Sequence, residues 1–531
     1  MILLQQLKIP VSGYSSEVLE HKVTKLLRLK PQEIRSISIQ RRSVDARRGK
    51  EPSYVFSLLV ETDKSKKEES LLIKRVGKDT VSIYEGHTYA IGKINKKPSL
   101  SPVVIGAGPA GLFCTYALAL AGLSPVLLER GKPVEERRVD VETFWKTKVL
   151  DPSSNVQFGE GGAGAFSDGK LNTLVKDKSG RNRFVLESFA RFGADGDILY
   201  DYKPHIGTDV LFHVLQNMRN ELLSLGAQIH FSSQVTDFII ADDRLVGLEI
   251  DHERIISCEK AVLCIGHSAR DTFFKLHEKK IPMTGKEFAV GFRVEHPQTL
   301  IDHVQFGQWD HILHPAPYKL ATKLENGRGV YSFCMCPGGY VVNASSEEGR
   351  LCVNGMSYQN RDSQNANSAI VVSVGREEFD LSDPLSAIAY QRGLEEKAFA
   401  LGKGSIPQQL LGDFKSKRIS SSYGRFSSVY KGSAVFADLN GIFDETFRTS
   451  FLEGMELFHH KLPGFSDEEA ILSGVESRTS SPVRILRSDH MESNIRGIYP
   501  CGEGAGYAGG ITSAAMDGLK VAEEIINTYT G

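Results

Sequence analysis

The sequence predicts an α/β protein preceded by a small α+β domain, and three observations carry that reading. From Val103 onward short β-branched runs alternate with helical segments, the glycine excess gathers at the turns between them, and the charge balance changes sign near residue 100. The chain's 531 residues suffice for two to four domains at roughly 100–200 residues each. With 41% hydrophobic and 24% charged residues the composition is core-forming, which excludes a disordered tail, collagen or a coiled coil.

Residues 1–97 read as the small basic domain. Residues 1–100 hold 20 Lys+Arg against 11 Asp+Glu, and residues 101–531 hold 44 against 54. Opposite fields of this kind hold two domains together or offer the basic one to nucleic acid, and the first is the plainer expectation. Helical spacing of Val18, Leu19, Val23, Leu26 and Leu27 predicts a helix over 17–29, and alternation predicts strands over 34–39 and 54–60. The run Arg41, Arg42, Arg47, Arg48 and Lys50 then falls in a solvated loop between those strands. A linker rich in lysine, proline and serine over 93–102 leads into the main body, where helices are expected at 109–121, 208–225, 382–400 and 512–528.

No run of 18 apolar residues exists, so no membrane partner is expected. The N-terminus has no basic, apolar and small-residue export pattern, which makes a cytoplasmic location the default. Seven scattered cysteines form neither a disulfide framework nor a C-x-x-C metal site, and no metal is expected.

The strongest motif spans 101–131. Val103, Val104 and Ile105 make a buried strand, and Gly106, Gly108 and Gly111 follow as G-x-G-x-x-G, with Pro109 and Ala110 opening a helix. The next strand, 126–128, ends at Glu129 and Arg130. Gly106 allows the tight turn, Gly108 the approach of a pyrophosphate, and Gly111 close packing of helix on strand. The helix N-terminus supplies N–H groups and positive dipole. Glu129, 23 positions after Gly106, is placed to accept from both ribose hydroxyls and to repel a 2′-phosphate. The unit is therefore a Rossmann-like dinucleotide site.

The C-terminal segment 494–524 runs as strand, acid-bearing turn, glycine-rich loop and final helix, and it resembles the closing segment of FAD proteins of the glutathione-reductase-like superfamily. That resemblance implies FAD. It places Gly502 and Glu503 at the ribityl chain, where the superfamily's Asp is here Glu. It also places Gly510, Ile511 and Thr512 at the flavin pyrimidine edge, where a helix N-terminus stabilises developing anionic charge. It further implies a strand over 226–238 meeting the adenine near Val235, a return strand ending at Gly266, and a glycine loop using Gly161, Gly162, Gly164, Ser167 and Lys170. That loop nearly matches an NTP-binding loop, but Leu171 stands where a magnesium-binding hydroxyl is needed, which excludes an NTPase. A single G-x-G-x-x-G means that any NAD(P)H donor visits the flavin transiently.

Across nearly its whole length the chain resembles one group, the FAD-dependent dehydrogenases (NAD(P)/FAD-dependent oxidoreductases) with a small N-terminal α/β domain. The resemblance rests on FGEGGAGAFSDGKL, KPHIGTD, VGFRVE, YSFCMCPGG, ESRTSSPVR and CGEGAGYAGGI. The expected division is 98–275 with 476–531 as the FAD-binding Rossmann-like domain and 276–475 as a discontinuous second α/β domain, the substrate cap. Candidate chemistry lies in Cys334 and Cys336, whose thiols share one face if the strand continues, and in His205 as a general base. Arg293, Arg361, Arg478 and Arg484 are candidates to clamp an anionic substrate, or else to pair with Glu295, Asp362 and Glu476. The expected function is an FAD oxidoreductase moving a hydride to or from an organic, anionic substrate. The alternatives are a flavin-dependent RNA-modifying enzyme and a flavin-bearing redox sensor.

Overall fold

The computed structural model describes every residue except 48, 49, 78, 85, 87, 88, 314 and 531. At the N-terminus four strands lie in the order Ile34–Asp45, Ser53–Thr62, Ile2–Pro10, Val81–Ile83, each antiparallel to its neighbour. Phe56, Leu58 and Val60 alternate onto one face with Ile2, Leu4 and Ile9. Leu19, Val23 and Leu27 of helix Ser16–Leu27 and Leu72 and Ile73 of helix Lys66–Val76 share their core. Ser15 caps the first helix by accepting from Val18 N–H at 3.2 Å.

The basic run is a loop only in its second half: Arg47 and Lys50 fall in residues 46–52 between the two strands, as expected. Arg41 and Arg42 lie inside the strand Ile34–Asp45, which runs on past residue 39 because its partner strand is ten residues long. Arg48 lies outside the described residues. Arg42 Nε donates to Asp201 Oδ1 at 2.7 Å and Nη2 to Asp201 Oδ2 at 3.0 Å, while Arg42 N–H donates to the Tyr200 carbonyl at 2.8 Å. Arg41 stacks 4.5 Å over Tyr202, and Arg47 pairs with Asp45 at 2.7 Å. Arg41 and Arg42 therefore tie the N-terminal sheet to residues 197–202, while Arg47 is held within its own hairpin. Arg42→Ala should loosen that junction by about 1–3 kcal/mol, the usual worth of hydrogen bonds to a charged group. Faster tryptic cleavage between residues 41 and 110 would register it, whereas an unchanged digestion pattern would assign the docking to other contacts.

The central sheet is parallel throughout, in the order Ile498–Pro500, Ala261–Leu263, Val103–Ile105, Val126–Leu128, Gln228–His230. The strand order reverses at Val103–Ile105, and the crevice beyond the carboxyl ends of such strands is where open α/β sheets bind ligands. Helix Pro109–Leu120 is apolar all round because it lies between this sheet and the final helix Ile511–Asn527. Gly518 of the final helix faces the Ala110 carbonyl so closely that a Cβ there would overlap it.

Two expectations need correction. Residues 226–238 are not one strand: Ser232 turns to φ +48°, Ser232 and Ser233 N–H donate to the Gly131 and Glu129 carbonyls, and Val235 begins a separate antiparallel sheet. The helix expected from 382 begins at Ser386, because Asp380 and Asp383 accept from Ser382 and Leu385 N–H and hold the preceding residues in turns.

A second, seven-stranded sheet carries the opposite wall. Its order is Ala321–Lys323, Gly329–Cys336, Asn365–Val374, Phe288–Pro297, Ile471–Glu476, Ile406–Leu410, Ala434–Phe436. Val290, Phe292, Val294, Ile370 and Val372 point into a core covered by helices Ser386–Gly402 and Glu445–Lys461. Among the described residues no helix is long and apolar enough to cross a membrane.

Candidate functional site

A cavity of about 350 Å³ opens at the strand-order reversal. Its walls are the ends of four parallel strands (Ile105, Leu128, Cys264 and Cys501 stand there), the loop 157–172, and Phe333, Cys334 and Asn354 from the second sheet and its neighbour. Two helix N-termini meet it, one at Pro109 and one at Ile511, and each leaves its first N–H groups without an intrahelical acceptor.

The glycines divide into two kinds. Gly106 has φ +101°, and a Cβ on it would overlap the Cys264 carbonyl; a Cβ on Gly111 would overlap the Gly106 carbonyl. Those two shape the strand-to-helix crossing, and Gly111 is not on the cavity wall. Gly108 is extended (φ −75°, ψ −179°), and a Cβ on it would stand 3.9 Å from Gly162 Cα. Its missing side chain leaves free space rather than a packed contact. Gly162 and Gly164 also line the cavity, while Gly161 packs against Leu215 behind it.

Glu129 is buried and largely engaged. Its Oε2 accepts from Ala107 N–H at 2.7 Å, and Oε1 accepts from Gly131 and Gly159 N–H, both at 2.9 Å. Three of about four acceptor positions are filled, so the carboxylate has room for one ribose hydroxyl rather than two. Behind it Arg137, fully buried, donates to the carbonyls of Asn155, Val156, Gly159, Glu160 and Gly162. One guanidinium thus shapes the whole glycine loop. Arg130 lies 4.4 Å over Phe158 and donates to Thr272, and with Val235 they line the same end of the cavity. Gly266 lines the wall too, and the Ser167 hydroxyl donates to the Gly164 carbonyl at 2.8 Å.

At the other end Gly502 adopts φ +75° and donates its N–H to Asp517 at 2.8 Å. Asp517 is itself held by Arg487 at 2.7 Å. This fixes the turn that carries Glu503 onto the wall. Glu503 Oε1 lies 3.2 Å from His267 Nδ1, and His267 Nε2 is buried with no hydrogen-bond partner among the described residues. Gly510 and Ile511 line the cavity, whereas the Thr512 hydroxyl is turned inward to the Leu171 carbonyl.

The candidate catalytic residues separate. Cys334 faces the cavity and Cys336 is buried behind it. The strand does not continue regularly between them: Cys334 has φ +46°, and the register slips between Phe333 and Cys336. Hydrogen bonding from Cys336 holds the Cys334 thiol below the usual thiol range against the effect of burial, helped by the charges of Lys170 and Arg293. Burial pushes Cys336 the other way. Lys170 lines the cavity, pairs with buried Asp168 at 3.1 Å and donates to the Met335 carbonyl.

His205 does not reach the cavity: its Nε2 meets the Gln359 carbonyl at 3.1 Å, and burial lowers its pKa. Nor is there an arginine clamp. Arg293 is fully buried and bidentate on Glu476, 3.1 Å at each oxygen. Arg361 is held by Asp168 at 2.5 Å, not by Asp362. Arg478 touches the cavity, but its guanidinium is occupied by Glu395, Ser268 and Ser346. Arg484 donates to the Gly506 carbonyl and stacks 5.1 Å from Tyr507. Arg293, Arg361 and Arg478 are thus neutralised by carboxylates within the chain, whereas Arg484 keeps its charge but lies off the cavity wall. Sequence reasoning missed Arg137, Asp168, His267 and Asp517. His267, directly after the return strand's Gly266, and Asp168, between Ser167 and Lys170 of the glycine loop, stood where their positions pointed to the site.

Residues 287–479 match the family model described as FAD-dependent protein, C-terminal domain-like, and residues 1–61 match a domain of unknown function. An uncharacterized protein of Clostridium beijerinckii is 44% identical over 519 residues, covering 96% of each chain. Among solved structures, E. coli quinol fumarate reductase aligns with TM-score 0.37 and 13% identity, over 80% of this chain and 70% of that one. L-proline dehydrogenase from P. horikoshii aligns with TM-score 0.33 and 13% identity, over 82% and 95%. Identity sustained across 96% of each chain makes the relation one of whole chains: the protein belongs to the family of the Clostridium beijerinckii relative.

Proposed function

We propose that the protein is an FAD-dependent oxidoreductase whose cofactor occupies the cavity at the strand-order reversal. The observation that carries the reading is the convergence there of two helix N-termini on a glycine cradle that no Cβ fills. Glu129, Arg130 and Val235 would hold the adenosine end, Gly108, Gly162 and Gly164 the pyrophosphate, and Lys170, Glu503 and Ile511 the flavin end. FAD, when bound, supplies hydride transfer at its N5. The chain's own groups orient and tune: the Ile511 helix N-terminus favours negative charge, and His267, steadied by Glu503, can hold or release a proton at Nε2.

An anionic substrate loses its main support, since Arg293, Arg361 and Arg478 are paired with carboxylates and Arg484 is not on the cavity wall. The RNA-modifying alternative likewise loses Arg42 and Arg47 to ion pairs within the chain. The test is anaerobic absorbance of the purified protein mixed in turn with NADH, NADPH and a panel of organic acids and thiols. A flavin band that bleaches with one of them is expected and identifies the electron donor. A protein that carries no flavin and takes up none on addition of FAD would overturn the reading.

A further inference from the structure

The geometry points to Cys334 and Cys336 as a thiol–disulfide exchange centre on the cavity wall, with a small-molecule disulfide as the substrate class. This names the substrate of the proposed flavin site, and rests on that reading for the onward path of the electrons but not for the exchange itself.

The first argument is steric. In a flat strand, Cα atoms two residues apart are separated by about 6.6–6.8 Å, at the outer limit of disulfide geometry. Here the left-handed turn at Cys334 and the register slip after Phe333 fold Cys336 back onto its neighbour, so that the Cys336 thiol donates to the Cys334 carbonyl at 3.3 Å. A non-glycine residue in that conformation is costly, and the surroundings hold it in place. Arg293 Nη1 donates to the Cys334 carbonyl at 2.9 Å and approaches Cys336 Sγ at 3.8 Å, and Lys170 donates to the Met335 carbonyl between them.

The second argument is asymmetry. Cys334 is half-buried on the wall, near the Lys170 ammonium, whereas Cys336 is sealed behind it. An accessible thiolate backed by a buried thiol is the division between an attacking and a resolving cysteine. Cys334 thiolate attacks one sulfur of R–S–S–R, forming a Cys334–S–S–R bond and expelling RS⁻. Cys336 then gives up its proton to solvent, and its sulfur attacks Cys334 Sγ. The intrachain disulfide forms and the second RS⁻ leaves. The pair loses two electrons, and the substrate disulfide gains them.

Oxidised glutathione serves as the probe, with differential alkylation and peptide mass spectrometry of the full chain as the readout. The wild type is expected to lose two hydrogen masses as a Cys334–Cys336 disulfide. Cys336→Ser is expected to retain glutathione on Cys334, and Cys334→Ser to leave Cys336 unmodified. Lys170→Met should raise the pH at which Cys334 alkylates by about one unit. Should both thiols remain free at every ratio of oxidised to reduced glutathione, or Cys336→Ser carry no adduct, the exchange centre is overturned. Flavin absorbance of the same samples separates the two readings. Bound, reducible flavin beside inert thiols overturns only the cysteine pair. A disulfide formed in protein that takes up no FAD supports the exchange and overturns the flavin reading.

Discussion

Gly108→Val should abolish FAD retention while leaving thermal unfolding close to that of the flavin-free wild type. The backbone at Gly108 is extended, a conformation valine adopts without strain, and a Cβ there meets nothing nearer than Gly162 Cα at 3.9 Å. The added side chain therefore enters the space reserved for the pyrophosphate and little else. A loss of at least ~100-fold in affinity, about 2.7 kcal/mol, is expected. Gly111→Ala makes the contrast, because its Cβ would overlap the Gly106 carbonyl. Helix Pro109–Leu120 must then move off its strand, and such overpacking costs about 1–3 kcal/mol or more. Flavin-to-protein absorbance ratios and thermal melts of the two variants decide the matter. Full flavin content in Gly108→Val would refute the site, and equal melting losses in both would mean that Gly108 is only a packing glycine.

What was legible in the sequence is what depends on neighbours in the chain. The turn at Gly106, the helix it opens and the strand ending at Glu129 all lie within 30 residues, and their spacing encodes their geometry. The final helix starts at Ile511, within one residue of expectation, for the same reason. Partnerships across the fold were not legible. Arg293 reads equally well as an anion clamp or an ion pair until Glu476, 183 residues away, is brought beside it. Glu129 looked free to take both ribose hydroxyls because nothing local shows that Gly159, 30 residues on, donates to it. The bend at Cys334 depends on pairing of Cys336 with Asn367 in another strand, so period-two alternation predicts equal exposure for two thiols of which the structure puts one on the cavity wall and buries the other. Arg137 carried no signal at all, since its five acceptors are backbone carbonyls.

Glu395→Ala should cost about 3–5 kcal/mol at neutral pH, the usual consequence of removing one partner from a buried ion-pair cluster, since Glu347, 2.6 Å from Arg270 and 3.9 Å from Arg478, is then the one carboxylate among the described residues left to the two guanidiniums. Glu395, fully buried on helix Ser386–Gly402, accepts from Arg270 at 2.7 Å on each oxygen. It also accepts from Arg478 at 2.9 and 2.8 Å and from Ser477 at 2.7 Å. Arg270 starts a helix packed at the nucleotide-side sheet and Arg478 follows the strand Ile471–Glu476, so one carboxylate joins three elements. Arg478 also donates to Ser268 on the cavity wall, which carries the damage to the site. Burial alone would raise the pKa of Glu395, but the charges of Arg270 and Arg478 overcome it and hold the group well below the usual 4.5. The unfolded chain therefore binds this proton more readily than the folded one, and the contribution is fully present above about pH 4.5 and lost as pH falls below it. Denaturant midpoints of wild type and Glu395→Ala should differ most near pH 7 and converge in acid. Glu395→Gln, which keeps one acceptor oxygen but no charge, should fall between them at neutral pH. A gap that stays constant down through pH 4 would mean that packing of the side chain, not its charge, holds the three elements together.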